Sequence, residues 1–335
     1  MSKQVATIKD VAQRVGVSVS TVSRVLNRSS YVSPETERLV LQAIDDLHFA
    51  PSQIARGFVN KKTSTIGLII PDVANPFFAD VARGVEDCAI EDGFATILCN
   101  SDWRSERESM YLDLLRGHWV EGVVVVGSRS SAEQLARAIG KAPYVLVERL
   151  LVGAGAAVWT DNRRGGALAT RHLVDVGCRT FAHISGPPDS PSATERRKGF
   201  MDVMRGAAVA SYEIFEGDYR VQSGLEIGRQ IFARDKMPDG IFAANDLMAI
   251  GVMQAAAQAG IRIPEQVAVV GYDNISPADY TSPSLTTIDQ PGYEMGRAAF
   301  SILLKRLRHA DYAPDEQIEF QPRLVVRNST RRPPD

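Results

Sequence analysis

The sequence predicts an all-α helix-turn-helix head followed by an α/β body of two lobes, each containing a parallel sheet. Three observations lead to this prediction. Apolar residues recur at helical spacing up to about residue 62. Strand-like apolar runs then alternate with amphipathic helices, and these units are too many for one sheet. We therefore expect the head at 1–50, a hinge helix and linker at 51–64, and the two-lobed body at 65–335.

The composition excludes several classes of protein. Of the 335 residues, 44% are hydrophobic and 23% are charged, as in ordinary soluble proteins. No apolar run is long enough to span a bilayer, and no secretory signal is recognisable. Cys88, Cys99 and Cys178 form no Cys-x-x-Cys pair, which argues against a disulfide framework or a zinc site. We expect a cytoplasmic protein with no cofactor and no bound metal.

Charge is distributed unevenly along the chain. Residues 1–62 contain nine Lys or Arg and five acidic residues, a net charge of +4 that leaves −6 for the remainder. A small basic head on an acidic body indicates a module that binds a polyanion such as DNA.

Three helices are expected in the head. Thr7 can cap the first, and Gly16 ends it in the manner of a left-handed C-terminal residue. Ser18 can cap a short second helix, and Ser33-Pro34 starts the third with proline at the first helical position. Two short helices joined by a tight glycine-containing turn form a helix-turn-helix.

The body is expected to alternate strands and helices. The candidate strands are Ile66–Ile70, Ala95–Cys99, Val123–Val126, Tyr144–Val147, Phe181–Ser185, Gly240–Ala243, Val267–Val270 and a last strand-like segment Ile318–Val326. The candidate helices are Phe77–Glu91, Arg104–Leu115, Arg163–Val176, Glu195–Met204, Gly224–Ala233, Asp246–Ala259 and Tyr293–Leu307.

The second helix of the head is the expected DNA reader. Arg24 has the geometry to bind the O6 and N7 acceptors of guanine, and Val19 suits a thymine methyl group. Hydroxyls at the helix N-terminus suit phosphate oxygens. The alternatives for Arg24 are a solvated surface charge and a phosphate contact. The predicted DNA-binding residues of the head are Thr7, Ser18, Val19, Ser20, Thr21, Ser23, Arg24 and Asn27.

These residues closely resemble the head of the Lac repressor (LacI/GalR) family, and the resemblance continues along the chain in order. The matching segments are Thr7–Ala12, Gly16–Ser18, Thr21–Asn27, Val32–Thr36, Pro51–Arg56, Ile66–Asp72, Asn75–Phe78, Asp161–Asn162, Arg196–Phe200, Asn245–Ala249, Gly271–Asp273 and Gln290–Pro291. The resemblance implies a transcriptional regulator, more often a repressor, that a small molecule controls allosterically.

The resemblance also assigns a role to Ser52–Val59. Eight residues containing Gly57 form a marginal helix. In the family this segment folds against the same segment of a second subunit over the minor groove, which adds Ala55 and Phe58 to the DNA-binding set. Phe58 replaces the usual wedge leucine and remains a suitable wedge. The alternative is that Phe58 anchors the linker on the body.

The expected effector site lies beyond the carboxyl ends of the strands. The polar and aromatic residues at these positions are Asp72, Asn75, Phe78, Ser101, Asp102, Glu148, Arg149, Asn162, Ser192, Arg196, Asn245, Asp246, Asp273 and Gln290. Such a set suits a polyol or sugar, whose hydroxyls both donate and accept hydrogen bonds. The fold resembles that of periplasmic sugar-binding proteins, and the family's effector positions fall on Phe78, Glu148, Ser192, Arg196, Tyr219, Asn245, Asp273 and Gln290. Together with Asn75 and Arg149, these eight form the ten predicted effector-binding residues.

Some of these residues have a second interpretation. One member of each of the pairs Asp161-Asn162 and Asn245-Asp246 is as well placed to cap a helix as to bind a ligand, and Tyr219 can serve in packing. Glu148 stands where the family more often has aspartate, which changes the pocket size. Arg149 together with Arg196 would suit an anionic ligand such as a sugar acid or sugar phosphate.

A regulator is favoured over two other classes of protein. Catalytic motifs are missing, which opposes an enzyme with a DNA-binding head. The basic head and the lack of a secretory signal oppose a binding protein that serves a transporter. We expect a homodimer on a palindromic operator, because one head reads too short a site. Asn328–Asp335, after the last strand-like segment, are too few residues for a tetramerising coiled coil.

Overall fold

The structure, a computed structural model, divides into two units, 1–63 and 64–335. It describes residues 6–27, 30–49, 63–117, 120–140, 142–149, 155–207, 210–309 and 316–330. Most of the predicted hinge and linker, 51–64, lies outside the described residues.

The head contains the three predicted helices, α1 (Ile8–Val15), α2 (Val19–Asn27) and α3 (Pro34–Asp46). The backbone N–H of Thr7 donates to the carboxylate of Asp10 at the start of α1. Gly16 ends α1 with a φ of 74°, in the left-handed region that glycine adopts without strain. A small apolar core joins the three helices, and its buried members are Val11, Ala12, Val22, Val25, Val40 and Ala43.

Each lobe of the body contains a six-stranded sheet. In both sheets, the five strands that come first along the chain are arranged in the same spatial order. The first sheet is ordered β11-β5-β4-β3-β1-β2 and the second β12-β10-β9-β8-β6-β7. All pairings are parallel except that of β10 with β12, which is antiparallel. The first sheet consists of β1 (Thr65–Ile70), β2 (Ala95–Asn100), β3 (Gly122–Val126), β4 (Tyr144–Val147), β5 (Ala156–Thr160) and β11 (Gln317–Phe320). The second consists of β6 (Thr180–Ser185), β7 (Ser211–Glu216), β8 (Gly240–Ala243), β9 (Ala268–Asp273), β10 (Thr286–Asp289) and β12 (Arg323–Val325).

Helices cover the faces of both sheets. They are α4 (Pro76–Glu91), α5 (Ser105–Gly117), α6 (Ala132–Ile139), α7 (Asn162–Asp175), α8 (Pro191–Gly206), α9 (Val221–Phe232), α10 (Asp246–Ala259), α11 (Pro277–Tyr280) and α12 (Gly292–Arg308). The seven predicted body helices are all present, with ends that differ by a few residues. The elements absent from the prediction are β5, β7, β10, α6 and α11.

The chain crosses between the lobes three times. It passes from β5 to α7, from β10 to α12, and from β11 to β12. Each lobe is therefore assembled from separate stretches of sequence, and the cleft between the lobes opens at the carboxyl ends of the strands.

Three helix pairs pack through reciprocal glycines. A Cβ on Gly166 of α7 would lie 2.2 Å from the Arg196 carbonyl oxygen, and one on Gly199 of α8 would lie 2.0 Å from that of Arg163. The pairs α4/α12 and α9/α10 have the same arrangement at Gly84 with Gly296 and at Gly224 with Gly251. These glycines let the helix backbones approach closely, and the α7/α8 pair fixes the position of Arg196.

The substitution Gly199→Ala should destabilise the body by about 1–3 kcal/mol or more, because the new methyl group overlaps backbone that has no room to move. Gly206→Ala is the matched control, since it lies in the same helix with no atom within 4 Å of its added Cβ. Alanine there should be neutral or stabilising by up to about 1 kcal/mol. Urea denaturation measures both, and an equal effect of the two substitutions would contradict the close-packing argument.

Candidate functional site

The second helix of the head presents a polar surface to solvent. Ser20 and Arg24 are exposed on α2, and the apolar side chain of Val19 is 41% exposed. The opposite face of α2 buries Val22 and Val25 in the core of the head. The exposed surface of α2 thus carries a basic group and an apolar group five residues apart, suited to base edges in a major groove.

Hydroxyl groups cluster at the N-terminus of α2. The Ser18 hydroxyl accepts a hydrogen bond from the Thr21 backbone N–H at 3.1 Å, so Ser18 caps the helix as predicted. It also shares hydrogen bonds with the hydroxyls of Ser20 at 2.7 Å and Thr21 at 2.9 Å. Ser18 is exposed, and this cluster lies at the end of the helix where phosphate oxygens are favoured.

The other predicted DNA-binding residues are distributed as follows. Thr7 is exposed at the start of α1, where its hydroxyl donates to Asp10 at 2.7 Å. Ser23 is half-buried on α2. Ala55 and Phe58 lie outside the described residues, as does the side chain of Asn27. The sequence reasoning passed over Tyr31, which is 89% exposed in the loop between α2 and α3.

The cleft between the lobes contains a cavity of about 20 Å³. Its lining combines aromatic, amide, hydroxyl and charged side chains from both lobes. The lining residues are Asn75, Phe77, Phe78, Trp103, Gly127, Glu148, Ser192, Arg196, Tyr219, Asn245 and Asp273. Eight of the ten predicted effector-binding residues therefore come together here.

Arg196 is the centre of this site and is 4% exposed. Its Nε donates to the Asn162 amide oxygen at 2.7 Å, and its Nη1 donates to the Ala244 carbonyl oxygen at 2.6 Å. Its guanidinium carbon lies 3.7 Å from the centre of the Tyr272 ring, an arrangement that attracts the cation to the ring face. The guanidinium orientation is thus fixed by contacts with the protein.

Two buried carboxylates, one from each lobe, face Arg196. Nη2 lies 3.7 Å from Glu148 Oε2, and Nη1 lies 3.4 Å from Asp273 Oδ1. Burial disfavours the charged guanidinium, but Asp273 and Glu148 outweigh it, so the pKa of Arg196 is raised. Burial also raises the pKa of Glu148, an effect that Arg196 and the amide of Asn162 oppose.

Asp273 is held at the end of β9. The Gln290 amide donates to its Oδ1 at 2.7 Å, and the Asn75 side chain also donates to its carboxylate. Burial nevertheless raises the pKa of Asp273 to about 7, because removal from water outweighs the attraction of Arg196.

One member of each ambiguous pair is a helix cap, as the sequence suggested. Asp161 accepts from the Arg164 N–H at 2.9 Å, which leaves Asn162 to donate to Glu148 Oε2 at 3.2 Å. Asn245 accepts from the Met248 N–H and donates to the Tyr219 carbonyl oxygen, both at 2.9 Å. Although Asn245 lines the cavity, its amide is already bonded within the protein.

Two predicted effector-binding residues do not line the cavity. The Arg149 guanidinium donates to the Ser128 carbonyl oxygen and borders a neighbouring depression next to Trp159, which shares Glu148 and Ser192 with the cavity. This places the second arginine of the anionic-ligand hypothesis outside the cavity. Gln290 is buried behind Asp273 and acts on the cavity by positioning that carboxylate.

The sequence reasoning missed Trp103, which lines the cavity from the loop after β2. Its ring centre lies 5.5 Å from that of Phe78 and 5.2 Å from that of Tyr219. The predicted stacking residue Tyr219 shares a hydrogen bond with Ser190 at 3.0 Å, and Ser192 lies beside it. The sequence contained one indication of this role, because Trp103 directly follows Ser101 and Asp102, which were expected at the effector site.

The arrangement is suited to binding polar groups by hydrogen bonds. One cation between two carboxylates gives the cavity no surplus of positive charge. Within the described parts of the chain, no group of three or more His, Cys, Asp or Glu side chains is placed to hold a metal ion. His183 is stacked between Phe200 and Phe242, and burial lowers its pKa to about 4, which keeps it neutral. His183 is fully buried inside the second lobe and packs there as a core residue.

Two family models match the chain. Residues 7–52 match the model described as bacterial regulatory proteins, lacI family. Residues 170–330 match the periplasmic binding protein-like domain. In the described residues, no helix combines the length and apolar character needed to cross a membrane.

Similar proteins extend along nearly the whole chain. The ribose operon repressor of Halalkalibacterium halodurans is 39% identical over 97% of both chains. The crystal structure of the Lac repressor dimer bound to operator and the anti-inducer ONPF superposes with a TM-score of 0.86 at 25% identity, covering 98% of this chain and 99% of that one. A LacI family regulator from Enterococcus faecium with bound ribose has a TM-score of 0.72 at 32% identity, covering 81% and 100%.

The substitution Asp273→Asn should remove a pH-dependent loss of stability. The pKa of Asp273 is about 7 in the folded protein, against about 3.9 in an unfolded chain. The folded protein therefore holds this proton more tightly, and the free energy of unfolding falls as the pH rises from about 4 to about 7.

Urea denaturation of both proteins across this pH range measures the effect. The stability of the native protein relative to the variant should fall as the pH rises. The difference between the two proteins contains the titration of Asp273 together with the effect of its charge on the nearby buried Asp246. The solvent-exposed Asp235→Asn is the control. If the difference in the free energy of unfolding between the native protein and Asp273→Asn stays constant with pH, the Asp273 carboxyl does not titrate in this range.

Proposed function

The chain belongs to the LacI family of bacterial regulatory proteins, and we propose that it is a repressor whose effector is a neutral sugar bound between the two lobes of the body. It is a sequence-specific DNA-binding transcriptional regulator with an effector-binding domain, and it binds operator DNA as a homodimer. The buried triad of Arg196, Glu148 and Asp273, in an aromatic-lined cleft, is the observation that carries the proposal.

Hydrogen-bond chemistry supports a sugar. Arg196 supplies donors only, whereas ionised Glu148 and Asp273 supply acceptors only. A sugar hydroxyl both donates and accepts, so adjacent hydroxyls can satisfy the guanidinium and a carboxylate together. The rings of Phe78 and Tyr219 supply the apolar surfaces against which the C–H faces of a sugar pack.

Charge supports a neutral ligand over an anionic one. The two carboxylates would repel a sugar acid or sugar phosphate, and Arg149 is directed to the carbonyl oxygen of Ser128. Two relatives are consistent with this choice, since one is a ribose operon repressor and the other has bound ribose. Glu148 stands where the family more often has aspartate, which gives this chain its own pocket geometry.

On the head, we assign base contact to Arg24 and Val19, and phosphate contact to the hydroxyl cluster of Ser18, Ser20 and Thr21. Their exposure on α2 and at its N-terminus supports this assignment. We assign minor-groove contact to Ala55 and Phe58 from the family resemblance alone. Residues 1–50 thus serve as the DNA-binding domain, 51–64 as hinge and linker, and 65–335 as the effector-binding and dimerisation domain.

Two further properties complete the proposal. We infer that the chain has no enzymatic activity, since its relatives are repressors. We also infer a cytoplasmic location, where a bacterial regulator meets its operator.

The substitution Arg24→Ala should relax sequence preference at one base of each half-site and cost about 1–3 kcal/mol of binding free energy. Selection of bound sequences from random DNA should return a palindrome for the native protein and a degenerate base for the variant. Arg38→Ala, an exposed arginine on α3, is the control for loss of charge. If Arg24→Ala weakens binding to all sequences alike, Arg24 contacts phosphate and not a base.

Neutral sugars should stabilise the full chain, while their charged counterparts should not. At about 100 times its dissociation constant, a ligand adds about 2.7 kcal/mol to the free energy of unfolding. Thermal unfolding with the matched pairs D-ribose and D-ribose 5-phosphate, and D-glucose and D-gluconate, tests the charge argument. Stabilisation by the anion and not by its neutral partner would contradict the proposed effector class.

A further inference from the structure

The indole of Trp103 closes the cleft by contacting an aromatic ring from each lobe. Phe78, in α4 of the first lobe, meets it edge-on at an interplanar angle of 70°. Tyr219, in the second lobe, lies against it at 31°. Trp103 thus occupies the position between the two rings that a flat ligand would also favour.

The backbone of the loop is bent to deliver this side chain. Asp102 and Trp103 have φ values of 54° and 58°, so two successive non-glycine residues adopt the left-handed region. Such a conformation costs free energy and persists only where surrounding contacts hold it.

Two ion pairs that cross between the lobes provide those contacts. Asp102 Oδ1 lies 2.9 Å from Arg220 Nη2, immediately beside Tyr219 in sequence. Arg129 stacks its guanidinium carbon 4.9 Å from the Trp103 ring centre, and its Nη1 lies 2.9 Å from Asp189 Oδ2 of the second lobe. The indole is therefore clamped from both lobes at once.

The clamped indole leaves little space beside the Arg196 triad. The cavity measures about 20 Å³, and a single water requires about 10–15 Å³. A sugar ring must therefore exchange with, or displace, part of the aromatic stack. A second ring that extended towards Trp103 would have to move the indole out of its clamp altogether.

From this geometry we propose that Trp103 determines the size specificity of the effector site and restricts it to sugars of a single ring. The inference rests on the proposed function, because it concerns the same cleft and the same class of ligand. Trp103 acts as the end wall of the cleft, while Arg196, Glu148 and Asp273 recognise hydroxyl groups.

The test compares binding of one-ring and two-ring sugars by isothermal titration calorimetry of the full chain. D-ribose and D-glucose are the one-ring probes, and cellobiose and sucrose are the two-ring probes. In Trp103→Ala the preference for one-ring over two-ring sugars should fall by about tenfold or more, since a steric wall is removed. Trp103→Phe, which keeps an aromatic ring at the position, should retain most of the native preference.

A second variant separates size selection from cleft closure. Asp189→Asn removes one ion pair that crosses the cleft and alters an exposed side chain outside the cavity lining. It should weaken binding of one-ring sugars without admitting two-ring sugars. A general loss of folding or closure would lower all affinities together, whereas the proposed role of Trp103 changes their ratio.

The outcomes are distinguishable. One-ring binding by the native chain, with two-ring binding gained in Trp103→Ala alone, supports the inference. One-ring binding by the native chain with an unchanged ratio in Trp103→Ala overturns it and leaves the proposed function intact. Native preference for two-ring sugars also overturns it. Failure of every neutral sugar to bind the native chain would overturn the proposed function and this inference together.

Discussion

The rest of the body depends on one interaction, the pairing of the buried Arg196 guanidinium with a carboxylate from each lobe. A buried carboxylate without a cation is costly, and here two are placed about a single guanidinium. Since Glu148 belongs to the first lobe and Asp273 to the second, Arg196 stabilises the closed cleft by electrostatic attraction to both sides. The same polar atoms also face the ligand site. The charged groups that hold the two lobes together are therefore the groups that bind the ligand.

The position of Arg196 follows from packing some distance from the charges. Gly166 and Gly199 let α7 and α8 cross at backbone contact, which places Arg196 beside Asn162. Asn162 in turn donates a hydrogen bond to Glu148, so the close packing of α7 and α8 also determines the positions of the polar groups. Small residues in the helices thus have as direct a part in the site as the charged residues themselves.

The success of sequence reasoning varied with the local physics. Val123–Val126 of the buried strand β3 are four consecutive β-branched residues, and the head helices have conventional caps, so these elements were predictable from the chain alone. The buried strands β5 and β10 were missed. The edge strand β7, whose residues are largely exposed, lacks an apolar run and was missed. In the site, residues at strand ends were found because parallel strands end at one edge of a sheet. Trp103 was missed because its place depends on two left-handed residues and on contacts from the opposite lobe.

The chain crosses between the lobes three times, and this constrains when each lobe can complete its fold during synthesis. The last strand of the first sheet, β11, lies at Gln317–Phe320, although its partner β5 ends at Thr160. During synthesis the ribosome releases residues in order, so the first lobe cannot complete its sheet until nearly all of the second lobe has emerged. The two lobes consequently finish folding at almost the same moment. A nascent chain that stops short of β11 carries two sheets with an unprotected edge.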